Sequence, residues 1–302
     1  MVATTKVNLM RENTVILDVV FHRIMQEHRE RTAKTVDTEA NKAWLSTVKK
    51  LFESSNYSKA AALQWETMRW LKSRSLPCGL HGYFVLPTAL LKEVWDYLDA
   101  QDAKLRVFVE ALAAEVENLK QFSQENLKDL YNETELPSAK KILNGIWMER
   151  SLIELQVPGS SKVGDVLAKQ EEDKAKSRWD EAAEEVIYAL REEMSKLVAH
   201  LVDRLTPNSD GKVKGFRESN IENLLEWFDL FSKRNILNDA DLKKLVAKSK
   251  EVLVKKGKPV SGDLIRADET VRAKLQAGMS EVKIKLDAML VNVPARRIRF
   301  AD

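Results

Sequence analysis

A leucine recurs every seventh residue through Leu91, Leu98, Leu105, Leu112 and Leu119. That spacing keeps one seam of an α-helix facing a partner helix. Val94, Trp95, Phe108, Val109, Val116 and Phe122 stand three or four residues further on and widen the seam. Pro87 suits a first helical position, where its missing N–H loses nothing, and Pro137 lies beyond the other end. The pattern predicts one helix over Pro87–Asn132, roughly 65 Å long at 1.5 Å per residue.

A second seam follows. Ala183, Ile187, Leu190, Met194, Leu197 and Leu201 are spaced four-three-four-three-four, the a/d alternation of a coiled coil, within a helix expected from about Val163 to Leu205. Two seams of comparable length, joined by a connector of roughly thirty residues, predict an antiparallel hairpin. Asp102 interrupts the first seam, because a carboxylate there needs a partner or marks where the pairing splays. The irregular piece between, 134–161, then forms the tip of the hairpin.

Scarce Gly and Pro beside abundant Lys, Glu, Leu and Ala fit long helices rather than sheets. No run of eighteen apolar residues occurs, so a membrane-spanning helix is not expected. The stretch MVATTKVNLMRENTV has neither the apolar core nor the cleavage site of a secretory leader. The single cysteine, Cys78, fits a reducing compartment. Together these predict a cytoplasmic protein.

The remaining chain also reads as helix. Val15–Lys34 carries Ile16, Val20, Ile24 and Leu17, Phe21, Met25 at helical spacing, after a lead-in at Thr4–Leu9 that is either strand or simple approach. A second helix is expected over Thr38–Phe52, and a third from about Asn56 to Lys72. Ser73–Pro87 is a loop punctuated by Pro77, Gly79 and Gly82, with the apolar run Tyr83–Leu86 tucked under the leucine helix and no evident strand to pair with. Pro207–Gly211 marks a boundary. Three helices follow it, over Phe216–Lys233, from Asn238 or Asp239 to about Lys256, and over Asp268–Leu290.

Few residue patterns suggest chemistry. GxxxxGK[ST] and GxGxxG are both missing. His22, His28, His81 and His200 never fall three or four apart, and one cysteine builds no zinc site. Lys212 and Lys214 occupy places in Asn208–Gly215 where a calcium loop needs oxygen ligands. Cys78 and His81 share a loop, but no third group orients them. No catalytic residue, cofactor or metal is expected.

Binding residues are easier to nominate. Trp147 stands at the expected hairpin tip, where little core exists to bury it, so Trp147, Met148 and Ile153 are candidate partner contacts. Charge is uneven: from Lys243 onward, fifteen Lys/Arg face seven Asp/Glu, although the whole chain carries only +3. Lys243, Lys244, Lys255, Lys256, Arg296, Arg297 and Arg299 are therefore candidate nucleic-acid contacts.

Three features resemble an uncharacterised family of phages and mobile elements, a domain of unknown function numbered three-one-five-zero. They are Leu76-Pro77-Cys78-Gly79 followed by Leu86-Pro87, the segment FRESNIENLLEWFDLFSKRNILNDADLKKL, and the closing helix with Thr270-Val271-Arg272. Members of that family are often encoded near a MoxR-like AAA+ ATPase and a von Willebrand factor A protein. The resemblance implies an adaptor or substrate role in an ATPase-driven remodelling system, and it brings no catalytic residues.

The expectation is an all-α, elongated protein with a long antiparallel coiled-coil-like helical hairpin. An N-terminal helical layer (1–86) precedes the hairpin (87–206), and a C-terminal three-helix module with a basic tail (207–302) follows. The expected function is non-enzymatic assembly through protein–protein contacts, with itself as a homo-oligomer or within an AAA+ ATPase system. The alternative is a nucleic-acid-binding accessory protein that uses the basic C-terminal module.

Overall fold

The computed structural model describes residues 6–30, 47–77, 82–153, 164–207, 216–255 and 257–291. The protein is mostly helical, but three of its strands form an antiparallel sheet around which the helices divide.

That sheet corrects the expectation of an all-α chain. Helix α1 (Lys6–Asn13) leads directly into β1 (Thr14–His22), where a helix had been expected. TVILDVVFH is rich in β-branched residues, which lose side-chain freedom in a helix and fit a pleated surface. Its apolar residues satisfy both periods, and pairing decides between them. β4 (Phe84–Pro87) pairs with β1 from Thr14↔Pro87 to Leu17↔Phe84, so the apolar run without an evident partner finds one far away in sequence. β5 (Trp147–Ile153) pairs along the other side, from Ile16↔Ile153 to His22↔Trp147. The order is β4-β1-β5, with β1 central. β2 (Glu27–Glu30), in the second half of the expected first helix, and β3 (Thr47–Lys50), in the expected second helix, make a separate two-stranded ribbon; much of that second helix lies outside the described residues.

The leucine repeat forms two helices. α2 (Ser55–Arg74) packs against α3 (Leu91–Ala114), which breaks at Glu115 before α4 (Val116–Leu127). Glu115 accepts hydrogen bonds from Ser54 Oγ and, at 3.5 Å, from Asn56 Nδ2. Ser54 also caps α2 by accepting from the Asn56 and Tyr57 amides. One cluster thus ties the α3–α4 break to the start of α2. On α3 the buried stripe is Val94, Leu98, Gln101, Leu105, Val109 and Leu112. Asp102 is half-buried and pairs with Arg106 at 2.8 Å one turn on, so it does not splay the seam.

The long helix α6 (Asp165–Leu205) matches its expected bounds. The short α5 (Ala139–Gly145) stands between α4 and β5. Beyond α6 come α7 (Ser219–Arg234), α8 (Ala240–Leu253), the hairpin β6 (Val254–Lys255) with β7 (Lys258–Pro259), α9 (Gly262–Ala267) and α10 (Glu269–Val291). Gly257, at φ 77°, turns that hairpin in the left-handed region that glycine adopts without strain. Asp239 caps α8, accepting from the Leu242 amide at 3.1 Å.

The two predicted seams do not pair with each other as a hairpin. Leu98, Leu105 and Leu112 are buried with Leu63 and Leu71 of α2, Ile142 of α5, and Leu17, Val19 and Leu86 of the sheet. Ala183, Leu190, Met194, Val198 and Leu201 are buried in a second core with α7, α8, α10 and Met10 of α1. The physical reason is the width of each face. On α6 the buried residues run 183, 186, 190, 194, 195, 198, 201 and 205, the broader stripe of a helix packed against several neighbours. The cores also cross the expected boundaries at 86 and 206, since Ile16, Leu76 and Val85 join the C-terminal core.

Candidate contact surfaces

β5 carries the three residues nominated from sequence as partner contacts, and their fates differ. Pairing with β1 sets alternate residues on opposite faces. Met148, opposite Phe21, points into the N-terminal core and is 8% exposed. Ile153, opposite Ile16, packs against the C-terminal core. Neither stands free as a contact, because a paired strand buries one face where a loose tip would not. Trp147 remains 43% exposed. It stacks on His22 of β1, with ring centroids 4.1 Å apart and planes 6° from parallel. His22 Nε2 lies 3.0 Å from Glu149 Oε2, two residues along β5 on the same face.

Two further features of β5 escaped the sequence reading. Leu152 is 49% exposed although its pair, Leu17, is completely buried. The side of β5 away from β1 pairs with no described strand, whereas on the opposite edge of the sheet Leu76 bridges Val85 through its amide at 2.8 Å. The alternation of exposed Trp147, Glu149 and Ser151 with Met148 and Arg150 was the available signal. Arg150 is neutralised by Asp99 and lies 4.5 Å over the Trp95 ring.

The basic C-terminal residues are largely matched by acids. Lys244 pairs with Asp241 at 3.0 Å, Lys250 with Asp229 at 3.0 Å, and Lys248 with Glu281. Lys255 Nζ donates to the Glu251 carbonyl at 3.0 Å. Lys243 is exposed on α8. Lys256, Arg296, Arg297 and Arg299 lie outside the described residues, as do Cys78 and His81. Glu281 binds both Lys248 and Lys285; these hydrogen bonds, Lys248's first, hold its carboxyl down to about 2.

The most enclosed charges are structural. Arg234, 2% exposed, donates to both oxygens of Glu193, at 2.7 and 3.0 Å, and Trp227 Nε1 donates to the same carboxylate at 2.9 Å. Nearby, Arg191 Nε donates to Asp239 at 2.7 Å. This network joins α6, α7 and the cap of α8. Every oxygen of Glu193 is occupied by a donor, which suits a bidentate brace and leaves no group poised for proton transfer.

Between residues 48–53 and α4 a cavity of about 370 Å³ opens, lined mainly by Val48, Leu51, Phe52, Phe122, Leu127 and Leu130. Its polar groups are already engaged: Ser123 Oγ donates to the Leu51 carbonyl at 2.7 Å, and Lys49 pairs with Glu135 at 2.6 Å. Among the described residues, no group of three or more His, Cys, Asp or Glu side chains is placed to hold a metal, and no helix is long and apolar enough to cross a membrane.

No protein-family model matches the sequence, no curated protein matches it, and no solved structure matches the fold.

Proposed function

We propose that this protein works without catalysis, as a helical assembly or adaptor protein acting through protein–protein contacts. One observation carries the reading: among the described residues no strand pairs with the outer side of β5, and Trp147 and Leu152 on it are 43% and 49% exposed. Edge strands present unpaired N–H and C=O groups that a further strand completes, and exposed aromatic side chains anchor such contacts. A second copy of the chain is the occupant we favour, with β5 meeting β5 in antiparallel pairing. The resemblance to the phage and mobile-element family supports a MoxR-like AAA+ ATPase as a further partner and a cytoplasmic setting. The alternative is a seat for nucleic acid on Lys243, Lys244, Lys255, Lys256, Arg296, Arg297 and Arg299; of these, Lys244 already pairs with Asp241 and Lys255 donates to the Glu251 carbonyl.

Light scattering across a concentration series tests the assembly. The expected result is a concentration-dependent dimer that Trp147→Asp and Leu152→Asp return to monomer, with the circular dichroism unchanged. A wild-type chain that stays monomeric throughout overturns self-assembly through β5.

A further inference from the structure

Helix α2 has a buried side and an opposite pole. Ala60, Leu63, Thr67 and Leu71 face the core. At 100° per residue, Trp65, Arg69 and Lys72 fall together on the far side, with Ala62 and Ser58 one and two turns earlier on the same stripe, and all five are exposed. Trp65 is 75% exposed, far more than Trp147 or the stacked Trp70. An indole costs free energy to hold in water, and its apolar neighbour on the stripe is the small Ala62.

The cations beside it are available. Arg74, at the end of the same helix, is taken up by Glu93 and by Glu226 at 3.3 Å. Arg69 and Lys72 have no carboxylate within ion-pair distance among the described residues, in contrast to Lys244, Lys248 and Lys250 of α8. α2 carries only one acid, Glu66, against Lys59, Arg69, Lys72 and Arg74. One planar π-surface and two unpaired cations thus share about 10 Å of a single helix face.

We propose that this pole of α2 binds single-stranded nucleic acid, with a base stacked on Trp65 and backbone phosphates on Arg69 and Lys72. An acidic peptide would use the cations and find only the small Ala62 beside the indole to receive an apolar side chain. A base needs only a flat aromatic face and a nearby positive charge. One indole and two cations leave few groups to read base edges, so binding tolerates sequence.

Fluorescence anisotropy of a labelled oligothymidylate with the full chain tests this. Wild-type protein binds at low salt and weakens as salt rises. Trp65→Ala lowers affinity about tenfold, the effect of losing one stacked base, while Trp65→Phe retains most of it. Arg69→Gln and Lys72→Gln each reduce the salt slope by about 0.7. Lys243→Gln with Lys244→Gln changes nothing, which separates this site from the C-terminal lysines. These surface variants keep the wild-type circular dichroism. Absence of wild-type binding, or binding indifferent to Trp65→Ala, overturns the proposal. Binding of polyglutamate in preference to the oligonucleotide overturns it in favour of an acidic protein partner.

Discussion

Ile16 and Leu17 are consecutive in the chain and buried in different cores. Strand alternation sends Ile16, with its cross-strand neighbours Val85 and Ile153, toward α6 and the C-terminal helices; it sends Leu17 toward α2 and α3. The sheet is therefore the partition between two helical cores. A register slip of one residue on β1 would exchange the two sets, so pairing on both sides of this strand determines the whole arrangement.

Truncating either residue opens a cavity in one core only. Ile16→Ala and Leu17→Ala are each expected to lower stability by about 2–5 kcal/mol in urea unfolding. Amide hydrogen exchange distinguishes them: Leu17→Ala weakens protection in α3, and Ile16→Ala weakens it in α6 and α10. Equal loss in both cores from either variant would show that the partition does not separate them energetically.

Removing Glu193 leaves the Arg234 guanidinium buried without its carboxylate. Glu193→Ala is expected to cost about 3 kcal/mol, at the lower end for a broken buried pair because Glu193 itself is partly open to water. Replacing both partners, as Glu193→Leu with Arg234→Met, recovers most of that loss, since an apolar pair carries no stranded charge. Urea midpoints of Glu193→Leu, Arg234→Met and the double variant measure the coupling.

Gly145 closes α5 against the segment that follows β1. A Cβ there would stand 2.7 Å from Ile24 Cγ2, a branch methyl close to the backbone that cannot swing aside as a chain end does. Gly145→Ala is expected to destabilise by about 1–3 kcal/mol. The paired change Gly145→Ala with Ile24→Ala recovers less than the loss of Ile24 itself adds, so the double variant stays below wild type in thermal melts.

Lys248 and Lys285 lower the Glu281 carboxyl to about 2. Since the unfolded chain holds that proton at higher pH, the contribution to stability is present above the ordinary carboxylate range and is lost as pH falls toward 2. An NMR titration of the Glu281 side chain is expected to show the low midpoint, and Lys248→Met to raise it. The site is exposed, so added salt moves the wild-type midpoint upward as well.

Helices with caps and one broad apolar stripe were readable in the sequence. α6 and α10 run almost as their periodicity indicates, and Asp239 caps α8 where a capping residue was expected. The break at Glu115 was hidden, because no Gly or Pro announces it. Its anchors are Ser54 and Asn56, sixty residues away. β1 was misread as helix because Ile16, Val20, Ile24 and Leu17, Phe21 satisfy the helical period as well as β-branching satisfies the strand. Trp147 stays 43% exposed, while Met148 beside it was not recognisable as core without knowing that the segment pairs.

The amino-acid pattern alone determined which stretches become long helices and that each hides one apolar face, since those are local consequences of spacing and capping. Only the tertiary structure decided which faces meet. Helix seams are similar to one another, and the choice between pairing Leu98–Leu112 with Ala183–Leu201 or burying each elsewhere rests on distant strands. Once β4 and β5 pair with β1, the two sides of that strand claim the two seams separately, and the hairpin that the periodicities suggested gives way to two cores divided by a sheet.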